Sequence, residues 1–112
     1  VNVGIRNELM KTIAETTFTF VKGNENQTDV KITIGEPYQN DDLTWSCSAQ
    51  MEGLYPPLSP MISDDSFHSL CLGVMFIRNL CRHFTNDGGR ILFPGTSDDV
   101  PLEDAYFTPK TM

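Results

Sequence analysis

The residues of this chain that could do chemistry are two histidines, three cysteines and a set of neighbouring acids. His68 and His83 stand fifteen residues apart in one helical segment. That is about four turns of helix, so they cannot share a ligand. Cys47, Cys71 and Cys81 form no Cys-x-x-Cys pair, the spacing that zinc ribbons and thioredoxin-like redox sites require. The acids come as Asp41-Asp42, Asp64-Asp65, Asp98-Asp99 and Glu103-Asp104. General acid–base catalysis needs two carboxyls converging in a pocket, and adjacent acids in loops more simply cap, solubilise or repel. Gly88-Gly89 is followed by neither Lys-Ser/Thr nor a helix, so it reads as a helix stop and not as a phosphate-binding loop. No metal-ligand spacing occurs. The expectation is a chain that is not an enzyme, with no catalytic residue, no metal and no cofactor.

What remains is a surface. Eight Lys and Arg stand against fifteen Asp and Glu, giving a net charge of −7 and a pI near 4.5. A nucleic-acid binder needs a basic footprint to displace counterions from phosphates, and an anionic lipid surface asks for the same. The expectation is therefore no nucleic acid and no membrane. An acidic domain suits a basic protein partner, or solubility alone.

The elements that position these groups follow from periodicity. Residues 13–21 alternate, with Ala14, Thr16, Phe18 and Phe20 on one side. After a polar turn at 22–27, residues 28–35 alternate again, with Val30, Ile32 and Ile34 inward. A second turn at 36–42 leads to the cleanest strand, 43–52. Leu43, Trp45, Cys47, Ala49 and Met51 share one face; Thr44, Ser46, Ser48, Gln50 and Glu52 share the other. Three strands with short polar connections read as an antiparallel meander covered on one side. Residues 53–60 carry Pro56, Pro57 and Pro60 and read as a loop. The run 63–66, Ser-Asp-Asp-Ser, offers N-caps for a helix from Ser66 to about Thr85, stopped by Asn86-Asp87-Gly88-Gly89. A short strand at 90–93 ends at Pro94-Gly95, and the acidic remainder reads as loop with Tyr106 and Phe107 as anchors. The fold class is α+β: a three- to four-stranded antiparallel sheet with one long helix packed on one face. Residues 1–9 show no pattern and read as an N-terminal extension to a single globular domain, 10–112.

On the helix, Phe67, Leu70, Val74, Ile77, Cys81 and Phe84 form the stripe expected to meet the sheet. The opposite face holds His68, Asn79, Arg82 and His83, but also Leu72 and Met75, with Phe76 at its margin. Either the C-terminal segment folds over these apolar residues or they form a patch for a partner.

No apolar run reaches the roughly 18–20 residues that span a bilayer. Val1 to Leu9 has no signal-peptide core, and sparse cysteines suit reduced, buried thiols. The expected location is the cytoplasm.

Several segments resemble a family. They are Met10-Lys11-Thr12-Ile13-Ala14-Glu15 running into Thr17-Phe18-Thr19-Phe20, Gly35-Glu36-Pro37, and Cys47 with Glu52-Gly53-Leu54. Asp65-Ser66-Phe67-His68-Ser69-Leu70, Phe76-Ile77-Arg78, Gly88-Gly89-Arg90 and Pro101-Leu102-Glu103 continue it over residues 10–107. The family is a group of small bacterial domains of unknown function. It is similar to the acidic immunity proteins that neutralise polymorphic toxins, including those on Rhs-type and type VI carriers. The resemblance implies a cognate toxin domain as partner, bound by a chain that is a monomer or weak homodimer when free. It carries over no catalytic residue. The contacts expected for such binding are Asp41, Asp42, Asp64, Asp65, Asp98 and Asp99, with Leu72 and Met75 as an apolar centre. Two other readings are a small-molecule or enzymatic pocket between helix and sheet, lined by Trp45 and Tyr55, and an oligomerisation patch of Leu72, Met75 and Phe76.

Overall fold

The computed structural model of the chain describes residues 11–23 and 26–109. The expected extension 1–9, Met10, Asn24 and Glu25 lie outside the described residues. Strand β1 (Thr12–Lys22) and strand β2 (Asn26–Gly35) form the long hairpin that the alternation predicts. Phe18 opposes Val30 and Thr16 opposes Ile32, so the apolar positions of both strands fall on one face. On the other face Thr19 donates its hydroxyl to Asp29 at 2.7 Å. Strand β7 (Gly89–Leu92) pairs antiparallel with the second half of β1, from Thr19 opposite Leu92 to Lys22 opposite Gly89.

The segment expected to form the third strand divides. Its second half, β5 (Ala49–Glu52), pairs with β2 and completes a four-stranded sheet in the order β5-β2-β1-β7. Its first half, β4 (Trp45–Cys47), leaves that sheet. It forms the centre of a second, three-stranded sheet between β3 (Tyr38–Gln39) and β6 (Met61–Ser63). These two flanking strands lie where the sequence reads as turn and loop. They are too short to show a period, which is why alternation could not mark them.

Ser48 is the hinge between the sheets. Its carbonyl accepts from the Gly35 amide at 2.8 Å, and the Cys47 thiol donates to the Gly35 carbonyl at 3.4 Å. The strand keeps its alternation through the change of sheet, so Cys47, Ala49 and Met51 are all buried. The expected wet face is not wet: Ser46 and Ser48 are buried too. Asn40 covers the first, donating to its hydroxyl at 2.8 Å, and Gln50 donates to the second at 2.8 Å. Gln50 also exchanges hydrogen bonds with the backbone of Leu58 and so ties the proline-rich loop to the sheet. A short polar side chain is buried here because a neighbouring amide satisfies it.

Helix α1 (Ser66–Asn86) packs across both sheets. Asp65 is its N-cap, accepting from the His68 amide at 2.7 Å. Gly88, with φ of +93°, turns the chain out at the C-terminus. The buried face is Ser69, Gly73, Ile77 and Cys81, flanked by half-buried Phe76, Leu80 and Phe84. This is rotated about 60° from the expected stripe, at 100° per residue. Phe67 is consequently 74% exposed and Val74 sits at the surface. The cause is close packing. A Cβ on Gly73 would lie 3.3 Å from the Cys47 sulfur and 3.7 Å from the Ala49 Cβ. Small residues let the helix settle onto β4 and β5, and the bulky ones then fill the space over β1 and β7. Phe20 meets Phe84 with ring centroids 4.9 Å apart, at the centre of that second region.

The C-terminal segment contains a single π-helical turn, Leu102–Tyr106. Tyr106 stands edge-on to Phe18 at 5.9 Å, and Arg78 lies 5.7 Å over the ring of Phe107. Glu103 takes two hydrogen bonds from Arg78, at 2.8 and 3.1 Å, and a third charged contact from Arg82 at 3.2 Å. The segment is thus pinned to the Arg78 flank of the helix, while Met75 remains 44% exposed.

Candidate functional site

The register of the small sheet gathers two of the acidic pairs. Trp45 opposes Ser63 in antiparallel strands. Residues preceding Trp45 and residues following Ser63 therefore emerge at the same end. The first group is the β3–β4 turn with Asp41 and Asp42; the second is Asp64 and Asp65, which lead into α1. The third pair is elsewhere. Asp98 and Asp99 follow β7 at the far edge of the large sheet, and Asp99 is held by Arg90 through two contacts of 3.1 Å. Of the expected apolar centre, Met75 points outward and Leu72 is half-buried.

The turn is tightly organised. The Asn40 amide donates to the Thr44 carbonyl at 2.7 Å, and the Leu43 amide donates to the Asn40 carbonyl at 3.0 Å. The Asn40 side chain donates to the Thr44 hydroxyl at 3.0 Å as well as to Ser46. Asp42 accepts from the Thr44 hydroxyl and from its amide. These bonds, the hydroxyl first, hold the Asp42 carboxyl below its ordinary pKa. Within this frame Leu43 has φ of +73° and is 71% exposed. Glycine, asparagine or aspartate ordinarily occupies that region; a branched aliphatic side chain there strains the backbone.

Across the end of the sheet, Ser63 shares a hydrogen bond with the ring of His68, and Asp65 caps the helix. Phe67 stands in the first turn between them, three-quarters exposed, and Ile62 is 58% exposed on β6. The register places Ile62 with Ser46 and Tyr38 on the face of the small sheet opposite the one where Cys47 meets Gly73. One end of the molecule therefore carries exposed large apolar side chains among aspartates.

Charge is segregated in the same way. From Ile32 through Ile77 the sequence has six acids and no Lys or Arg; the rest of the chain has nine acids against eight bases. The ion pairs Lys22–Asp87, Lys31–Glu15, Arg78–Glu103, Arg82–Glu103 and Arg90–Asp99 all draw their cations from outside that stretch. None of them involves Asp42, Asp64 or Asp65. Of those six acids Glu52 lies on β5 of the large sheet opposite Lys31 and Glu36 follows β2, while the other four, Asp41, Asp42, Asp64 and Asp65, flank the small sheet. The residues that sequence reasoning missed are Leu43, Ile62 and Phe67. The gap in Lys and Arg was a legible signal pointing to their neighbourhood.

A groove of about 200 Å³ runs between helix and large sheet. Ala14, Thr16, Phe18, Ile32, Val74 and Tyr106 are among its lining residues, and it is almost wholly apolar. The Trp45 and Tyr55 that the pocket reading expects are not part of it. Tyr55 borders a separate, more polar depression with His83 and Asp87. Among the described residues no three His, Cys, Asp or Glu side chains are grouped to hold a metal ion. Burial pushes the Cys81 thiol up to about 11 and raises the Cys47 thiol as well, so neither is an activated nucleophile. No helix among the described residues is long and apolar enough to cross a membrane. Comparison with protein-family models, with curated proteins and with solved structures gives no match to this chain.

Proposed function

We propose that this chain is a binding protein that occludes a basic cleft on a protein partner. In its specific form the reading is an immunity protein acting in the cytoplasm on a cognate antibacterial toxin domain. The observation that carries it is the gathering of Asp41, Asp42, Asp64 and Asp65 at one end of the small sheet, within a stretch of sequence, residues 32–77, that has no Lys or Arg. A cleft built for an anionic substrate, such as a nucleic acid or nucleotide, is basic. Aspartates presented at one end of a rigid domain accelerate encounter with it and fix its orientation. Asp42, Asp64 and Asp65 are the charges best placed for this, with Asp41 beside them. Asp98 and Asp99, at the other edge, would touch only a partner large enough to wrap the domain.

The test is reconstitution with the product of the adjacent gene. A stoichiometric complex is expected, and its association rate should fall steeply with salt. Asp64→Lys should slow association by roughly tenfold at low salt, because it reverses a charge that makes no described ion pair or cap. A folded neighbour product that forms no complex overturns the proposal. An association rate indifferent to salt and to Asp64→Lys removes the acidic end from the interface.

A further inference from the structure

Within this proposed function, and resting on it, we infer that the partner is gripped by Leu43 and Phe67, which form the apolar anchor of the acidic end. Their occupant is a protein cleft with basic walls and an apolar floor. The two side chains are 71% and 74% exposed, more than any other exposed large hydrophobic residue among those described. Both lie at the end of the small sheet where Trp45 and Ser63 pair. Exposed leucine and phenylalanine gain little in water, and buried aromatic and aliphatic anchors dominate the energy of protein interfaces.

The placement of Leu43 is the more informative. It sits in the left-handed region at the tip of a turn whose hydrogen bonds come from Asn40, Asp42 and Thr44, not from the leucine side chain. The fold does not need leucine there, and asparagine would adopt the same backbone with less strain. A strained, exposed non-glycine residue at a turn tip points to a role other than folding. Charge complementarity names the occupant. Asp42 is one residue from Leu43, and Asp64 and Asp65 lie within three residues of Phe67. The hydrogen bonds that Asp42 accepts from Thr44 hold its carboxyl below its ordinary pKa. An anionic rim around an apolar knob matches a cationic rim around an apolar pocket. It does not match Met75, whose exposed side chain shares a helix face with Arg78 and Arg82, three and seven residues further on.

Three measurements test the anchor. In the complex with the adjacent-gene product, Leu43→Asn and Phe67→Ser should each weaken binding by about tenfold or more, and Met75→Ser by less than about twofold. In the free protein, Leu43→Asn should leave the thermal midpoint unchanged or raise it. In a nuclear magnetic resonance titration of the free protein with the peptide acetyl-Arg-Arg-Trp-Arg-Arg-amide, the largest amide shifts should fall at residues 42–44 and 64–68. A complex that tolerates Leu43→Asn and Phe67→Ser but not Met75→Ser overturns the anchor and leaves the proposed function standing. A lowered midpoint in Leu43→Asn overturns it too, since leucine would then be serving the fold. If the neighbour product forms no complex, the proposed function fails, and the peptide titration decides the surface. Shifts centred on Asp98–Asp99 or on Met75 overturn it.

Discussion

The two sheets of this protein are built by opposite rules. The large sheet and the C-terminal half of α1 bury Phe18, Phe20, Val30, Met51, Ile77, Cys81 and Ile91, and their surface charges are paired across elements. The small sheet has strands of two or three residues and holds its turn by side-chain hydrogen bonds. It leaves Leu43, Ile62 and Phe67 in solvent. One region spends its apolar side chains on stability. The other buries Cys47 against Gly73 but keeps three large apolar side chains outside, beside aspartates and on a strained turn. A surface that conserves neither burial nor backbone comfort is the part of a domain most free to serve a partner.

Substitutions in the two regions should therefore separate into large and small effects on folding. Phe20→Ala removes the ring at the centre of the large region, 1% exposed and against Phe84. It should cost about 3–5 kcal/mol, read from denaturant unfolding. A loss below about 1 kcal/mol would mean that the large sheet is not the stabilising unit, and the contrast would collapse. Asp65→Ala removes the N-cap at the border of the two regions. A loss of about 1 kcal/mol is expected, with helicity reduced in the same variant. If binding falls while stability does not, Asp65 belongs to the interface and not to the helix.

The smallest effect concerns the ion-paired flank. The hydrogen bonds from Arg78, reinforced by the charges of Arg78 and Arg82, hold Glu103 below its ordinary pKa of 4.5. A carboxyl depressed in the folded state stabilises that state above its unfolded pKa, and the contribution is lost as pH falls through the folded value. Amide exchange of residues 102–107 should therefore quicken as pH is lowered beneath the ordinary carboxylate range, after correction for the intrinsic pH dependence of exchange. Glu103→Gln should quicken it at neutral pH and flatten the acid response. Equal protection of wild type and variant at neutral pH would show that Tyr106 and Phe107 alone hold the segment.

Much of this architecture was legible in the sequence. Strands β1 and β2 are long enough for alternation to accumulate, and the helix announces both ends, through Asp65 and through Asp87-Gly88. The charge gap between Lys31 and Arg78 is likewise a fact of sequence alone. Periodicity could not show that the segment 43–52 opens in a turn at Leu43 and then serves two sheets. Its alternation runs unbroken through Ser48, and the division depends on partners at Tyr38 and Met61 whose strands are too short to carry a pattern. Nor could it orient the helix. The wheel favours the largest apolar residues, whereas packing favours the closest approach, and Gly73 against Cys47 and Ala49 wins. That rotation is what leaves Phe67 outside. Local chemistry thus determined the long elements, the helix caps and where the charge lies along the chain. The pairing of distant short strands and the fit of one small residue decided which side chains are left in solvent, because both depend on groups far apart in the chain.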